Sequence, residues 1–170
     1  MAGSSAPWVS LRLVVAVVMG APWIICLSMW FVLSVSYADD ETPFPWLFLA
    51  VVVALGALVA LVITVIGYRA APLPTGLPAA EAASRSRTAY TSRLFLRMAL
   101  AEIPLLVSMA LAFVTLRGGL YVVVLGAVVS VVLMLVHVWP TQRSVDRVAD
   151  NLERGGTRSH LREALALPPR

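Results

Sequence analysis

The chain has 170 residues, 60% hydrophobic and 13% charged, with a mean hydropathy of +0.89. An average soluble domain carries about 25% charged residues, and a chain this short cannot bury so much apolar surface in water. The net charge of +4 comes from arginine without lysine, and these arginines flank apolar runs, so membrane orientation accounts for them and no nucleic-acid partner is expected.

A bilayer-crossing helix needs about 20 apolar residues for a hydrocarbon core of about 30 Å. Four stretches qualify, roughly 13–36, 46–68, 94–115 and 120–138. The expected fold is therefore all-α, with four transmembrane helices. Residues 1–12 form an N-terminal segment and 13–68 a first hairpin. A linker follows over 69–93, a second hairpin over 94–138 and a tail over 139–170.

In the first stretch, Arg12, the apolar run and Ser36-Tyr37-Ala38 imitate a cleaved signal peptide. The run exceeds the roughly 7–15 residues of a signal h-region, so a retained anchor is expected. Pro22 marks a helix kink. Cys26, the sole cysteine, rules out an internal disulfide and reads as a small apolar filler. The following connection, "ADDETPFP", holds Asp39, Asp40 and Glu41 and no base. A solvated loop explains this cluster, which has no histidine. Trp46 then fits an interfacial aromatic belt.

Helix two offers Ala50, Ala54 and Ala57 as a small-residue packing stripe, with Gly56 and Ala60 beside it. The next segment holds Arg69, Arg85, Arg87 and Arg93 against Glu81 alone. Pro72, Pro74, Gly76 and Pro78 predict a flexible linker at its start. From Ala79 an amphipathic or interfacial helix is expected, leading into helix three.

Helix three, "RMALAEIPLLVSMALAF", sets Glu102 and Pro104 in an apolar run. Arg97 is expected to anchor at the interface, and Pro104 to kink the helix. Arg97, Ala101, Pro104, Ser108 and Ala112 share one face and predict a packing seam. Glu102 falls about 12 Å inside the helix, near the midplane. A carboxylate at a helix centre costs about 2.5–3.5 kcal/mol on insertion scales. Arg97 lies about 140° around the helix and is a poor partner. Three roles remain open for Glu102: hydrogen-bonding glue between helices, a proton- or cation-binding group, or a contact for a partner subunit or lipid headgroup.

Helix four packs through Gly126 and Ser130, with His137 and Trp139 as interfacial residues at its end. In the tail, Val145, Val148 and Leu152 recur at helical spacing until Gly155 and Gly156. This predicts either a solvated, headgroup-lying helix or a docking helix for a protein partner across 141–167. Self-association through a small-residue face is a further expectation.

Arginines beyond helix four number six, at 143, 147, 154, 158, 162 and 170. With those of the linker, they place both termini and the linker in the cytoplasm by the positive-inside rule. Arg117, in the short third connection, is the one dissenter. Helices one and three each carry a proline followed by a Ser-Met pair, at Pro22 with Ser28-Met29 and Pro104 with Ser108-Met109. Two similar hairpins, or the general frequency of proline in membrane helices, both account for this.

Two resemblances follow. "LRMALAEIPLLVSMALAFV" resembles the carboxylate-bearing helix of the proteolipid ring subunit of rotary ATP synthases, with Glu102 at the proton-carrying position. The glycine-repeat helix and the Arg-Gln-Pro loop of that subunit are missing. The wider chain resembles uncharacterised bacterial four-helix membrane proteins, through "ALAE-x-P" at 99–104 and Pro140-Thr141 before a charged helix. That resemblance implies a topology and no activity.

The chain shows no phosphate-binding glycine loop, no zinc spacing and no base paired with a nucleophile. The expectation is a non-enzymatic, cofactor-free and metal-free component of a bacterial cytoplasmic membrane, accessory or structural in role. The alternative is a proton- or cation-handling protein that uses Glu102.

Overall fold

A computed structural model describes residues 6–34, 44–115 and 118–167. The acidic connection at Asp39, Asp40 and Glu41, Arg117 and Arg170 lie outside the described residues. The helices are α1 (Ala6–Ser34), α2 (Trp46–Ile66), α3 (Ala79–Val114) and α4 (Gly119–Leu133), then α5 (Gln142–Leu152) and α6 (Leu161–Ala164). A π-helical turn, Met134–Val138, extends α4. Four helices are long and apolar enough to cross a membrane, as the hydropathy predicts.

Helix α4 is the hub, touching α1, α2 and α3. Helix α1 leans on it along a narrow seam of Val15, Pro22 and Met29, each seven residues from the next. Most of its other large side chains, Trp23, Leu27 and Phe31 among them, face outward. Helix α2 packs on α3 and α4. The two hairpins are therefore not equivalent: α3 and α4 pack directly on each other, whereas α1 and α2 rest mainly on the α3–α4 pair. Both α1 and α3 continue through their prolines as single helices.

The α3 seam matches expectation, with Arg97, Ala101, Pro104, Ser108 and Ala112 all buried. Opposite it, Gly126 of α4 lies so close to Ser108 that an added Cβ would overlap the serine side chain. Ser130 Oγ accepts a 3.2 Å hydrogen bond from the amide of Leu105, next to the proline-interrupted ladder. Ser108 Oγ donates to the Leu105 carbonyl at 2.7 Å. These contacts supply the close approach and polar pairing that apolar helices need in lipid.

The packing face of α2 differs from expectation. Ala50, Ala54 and Ala57 are exposed, and Val52, Gly56, Val59 and Ile63 are buried. Gly56 admits Val129 of α4, whose Cγ1 would sit 2.5 Å from a Cβ at position 56. A valine knob entering a glycine notch makes more van der Waals contact than an alanine strip, and lipid accepts the alanines equally well.

Helix α3 runs 36 residues, about 54 Å, well beyond a hydrocarbon core of about 30 Å. Its first turns leave the bundle and carry a second layer made of residues 67–78, α5 and α6. The linker is tied down rather than loose. Leu73 donates its amide to Leu152 at 2.9 Å, Thr157 Oγ1 donates to the Pro74 carbonyl at 2.9 Å, and Leu73 is buried. Helix α5 starts at a reciprocal cap between Thr141 and Ser144. Its apolar face of Val145, Val148 and Leu152 is buried within the chain's own core, with Leu161 and Leu165. The expected solvated or headgroup-lying tail is thus a packed one, because burying each such side chain is worth about 1.5–3 kcal/mol in water.

This packing has two measurable consequences. Gly126→Ala should cost about 1–3 kcal/mol by overpacking, read as a lower thermal midpoint in detergent, and Ser108→Gly in the same chain should recover part of the loss. Val148→Asp should open the tail layer while leaving the bundle helical. Hydrogen exchange would then show lost protection over 142–165 and retained protection over 119–133.

Candidate functional site

The candidate site is centred on Arg97. Its side chain sits at the junction of the bundle and the tail layer with 0% exposure. The end of α2 sets the level: a Cβ at Gly67 would lie 2.7 Å from Arg97 Cγ, so a larger residue at 67 would displace the arginine stem. Arg97 is therefore buried in protein, not reaching out to an interface as expected.

The helix end opposite supplies its acceptor. Pro140 has no amide proton, and the amide of Trp139 goes to Met134 O at 2.8 Å in the π-helical turn. The last carbonyls of α4 are thus left for other donors, and that end is the negative pole of the helix dipole. Arg97 Nη1 donates to the His137 carbonyl at 2.8 Å, and Tyr68 Oη donates to the same oxygen at 3.2 Å. Arg97 Nε donates to the Arg93 carbonyl at 3.2 Å.

Aromatic faces complete the cage. The guanidinium carbon lies 4.5 Å from the Tyr68 ring centre and 6.0 Å from that of Tyr90. Arg147 approaches the Tyr68 ring at 5.3 Å. Tyr90 Oη and Ser144 Oγ are 3.3 Å apart, joining the cage to the cap of α5. Asn151 Nδ2 donates to the Tyr68 carbonyl at 3.1 Å, joining it to the end of α5. No carboxylate among the described residues pairs with Arg97, and its Nη2 is buried without a hydrogen-bond partner. Carbonyl dipoles and π faces stabilise the charge instead.

Arginine does not lose its proton in proteins. The cage therefore holds a permanent charge and is suited to tying elements together, not to proton transfer. Its signal in the sequence was the continuation of the small-residue seam of α3 back to Arg97. Tyr68, Tyr90 and the His137 carbonyl had no such signal.

Glu102 stands apart from this cage. It is half-buried and makes no hydrogen bond or ion pair with a described residue. It lies five residues beyond Arg97, about 7.5 Å further along the helix. Because α2 ends level with Arg97, Glu102 sits about a quarter of the way along the 21-residue α2, short of the expected midplane. The hydroxyl of Ser130 goes to the Leu105 amide and not to Glu102.

The remaining predicted residues scatter. Trp46 is exposed at the far end of the bundle, where Phe44 bridges it to Tyr121 with ring centres 4.6 and 5.5 Å apart. Trp139 packs half-buried at the tail end. Cys26 faces α4, with Sγ 4.0 Å from the Val123 carbonyl. Among the described residues, no three of His, Cys, Asp and Glu converge to hold a metal ion. Comparisons with family models, curated proteins and solved structures find no match.

Arg97→Met should destabilise the protein by about 1.5–3 kcal/mol, because the His137 and Arg93 carbonyls lose a charged donor while Tyr68 Oη stays on His137. Tyr68→Phe, which keeps the ring and loses one hydroxyl, should cost only about 0.5–1.5 kcal/mol. Denaturation midpoints in one detergent would give the ranking, and equal losses would show that the ring face matters less than the hydroxyl.

Proposed function

We propose that this is a non-catalytic accessory or structural component of a bacterial cytoplasmic membrane, multi-pass, with both termini in the cytoplasm. The observation that carries the reading is the Arg97 cage. Among the described residues, the fully buried charge lies where the ends of the spans meet a folded tail layer, linked through His137, Tyr68, Tyr90 and Ser144. Such a joint presents a rigid, basic platform beside the membrane, suited to holding other components in place. The arginine distribution supports the orientation. With the apolar face of α5 used internally, a protein partner across 141–167 would meet the polar face. Self-association would use the outward faces of α1 or α2.

One observation favours a second reading. Glu102 is a carboxyl in an apolar span with no partner among the described residues, and ionisable residues in membranes frequently mark ion paths. The test is proton flux into liposomes carrying the purified protein, driven by a potassium diffusion potential. The accessory reading expects flux equal to that of protein-free liposomes. Flux that Glu102→Gln abolishes would replace it with the proton-handling reading.

A further inference from the structure

Just beyond the end of α2, an open groove of about 360 Å³ lies between residues 70–74 and the outer side of α3. Its floor is apolar, made of Ala70, Leu73, Ala89, Leu96 and Leu152. Its rim carries Arg85, Ser92 and Arg93. Two features of that rim are informative. Arg85 is paired with Glu81 at 2.7 Å, so this pair adds no net charge. Arg93 is half-buried, and its side chain makes no hydrogen bond or ion pair with a described residue; only its backbone carbonyl is used, by Arg97. The groove thus offers one uncommitted guanidinium and one hydroxyl above an apolar floor.

The level of the groove identifies what meets it. Helix α2 ends at Ile66, so residues 70–74 begin where the apolar span stops. Headgroups occupy the roughly 5–7 Å beyond each face of the hydrocarbon core. Groups at this depth face lipid phosphate whichever way the protein is inserted. Leu96 continues the apolar floor toward the span, where an acyl chain lies. A guanidinium matches phosphate oxygens through paired N–H donors, and a serine hydroxyl adds a third. The groove has no free carboxylate for the ammonium of a zwitterionic headgroup, since Glu81 is engaged by Arg85.

We propose that this groove binds the headgroup of an anionic phospholipid, with Arg93 and Ser92 holding the phosphate and the Leu73–Leu96 floor receiving the glycerol and upper acyl carbons. The proposal rests on the four spans crossing a membrane, and on neither reading of the protein's function.

The test uses the full chain, delipidated in neutral detergent, with native mass spectrometry and thermal unfolding as readouts. Phosphatidylglycerol, phosphatidylcholine and inorganic phosphate are added separately. Phosphatidylglycerol should be retained and should raise the melting temperature, with phosphatidylcholine weaker and inorganic phosphate without effect. Arg93→Gln should weaken phosphatidylglycerol retention about fivefold, the effect of one basic residue at an anionic surface. Arg143→Gln, an exposed change in α5 outside the groove, should leave it unchanged. Ala89→Trp, which fills the groove without altering charge, should abolish retention, and it keeps the test decisive if Arg93→Gln folds poorly. Equal retention of the two lipids, equal effects of the two arginine substitutions, or full retention by Ala89→Trp would each overturn the proposal. Stabilisation by inorganic phosphate alone would assign the site to a soluble anion and overturn the lipid assignment.

Discussion

The Arg97 guanidinium on the His137 carbonyl ties α3 to the end of α4 at the level where the bundle meets the tail layer. A permanent charge buried without a carboxylate is costly unless dipoles and polarizable faces surround it. Here an unpaired helix end, two tyrosine rings and the carbonyl of Arg93 provide that environment. Several local features follow from it. Gly67 leaves room for the arginine stem. The π-helical turn and Pro140 together leave the last carbonyls of α4 open. Tyr68 and Tyr90 then pass the connection to α5 through Asn151 and Ser144.

Different forces hold the parts on either side of that joint. Between the spans, lipid is as apolar as the side chains, so cohesion comes from close approach at Gly56 and Gly126 and from the serine hydroxyls beside Pro104. In the tail layer, Val145, Val148, Leu152 and Leu161 are withdrawn from water, and the hydrophobic effect operates in full. Helix α3 belongs to both environments. Its continuity carries the position of the bundle into the layer without a hinge.

Among the polar side chains to which no described residue gives a hydrogen bond or ion pair, two lie on α3 near the end of the apolar span. Glu102 is one, within the apolar span; Arg93 is another, beside the end of it. They lie nine positions apart, about 13.5 Å along the helix. The part of α3 beyond the apolar span therefore carries a half-buried cation, and the apolar span itself a half-buried carboxyl.

Much of the architecture was legible in the residues themselves. The four spans, the α3 seam from Arg97 to Ala112, and the Val145–Val148–Leu152 face of α5 all follow from apolar length and helical spacing. The burial of Arg97 was partly foreshadowed by its place on that seam. Its partners were not, because the acceptor is a backbone carbonyl freed by helix geometry, and the two tyrosines lie 29 and seven positions before it in the chain. The choice between the alanine stripe and the valine–glycine face of α2 was also closed to sequence reading, since every side of that helix is apolar. So was the docking of the linker on α5, where prolines indicate a break in regular structure but not what the broken segment touches. Length and hydropathy determine which segments leave water for lipid; which faces then meet is decided only by the fit of side chains across helices, and that fit depends on contacts distant in sequence.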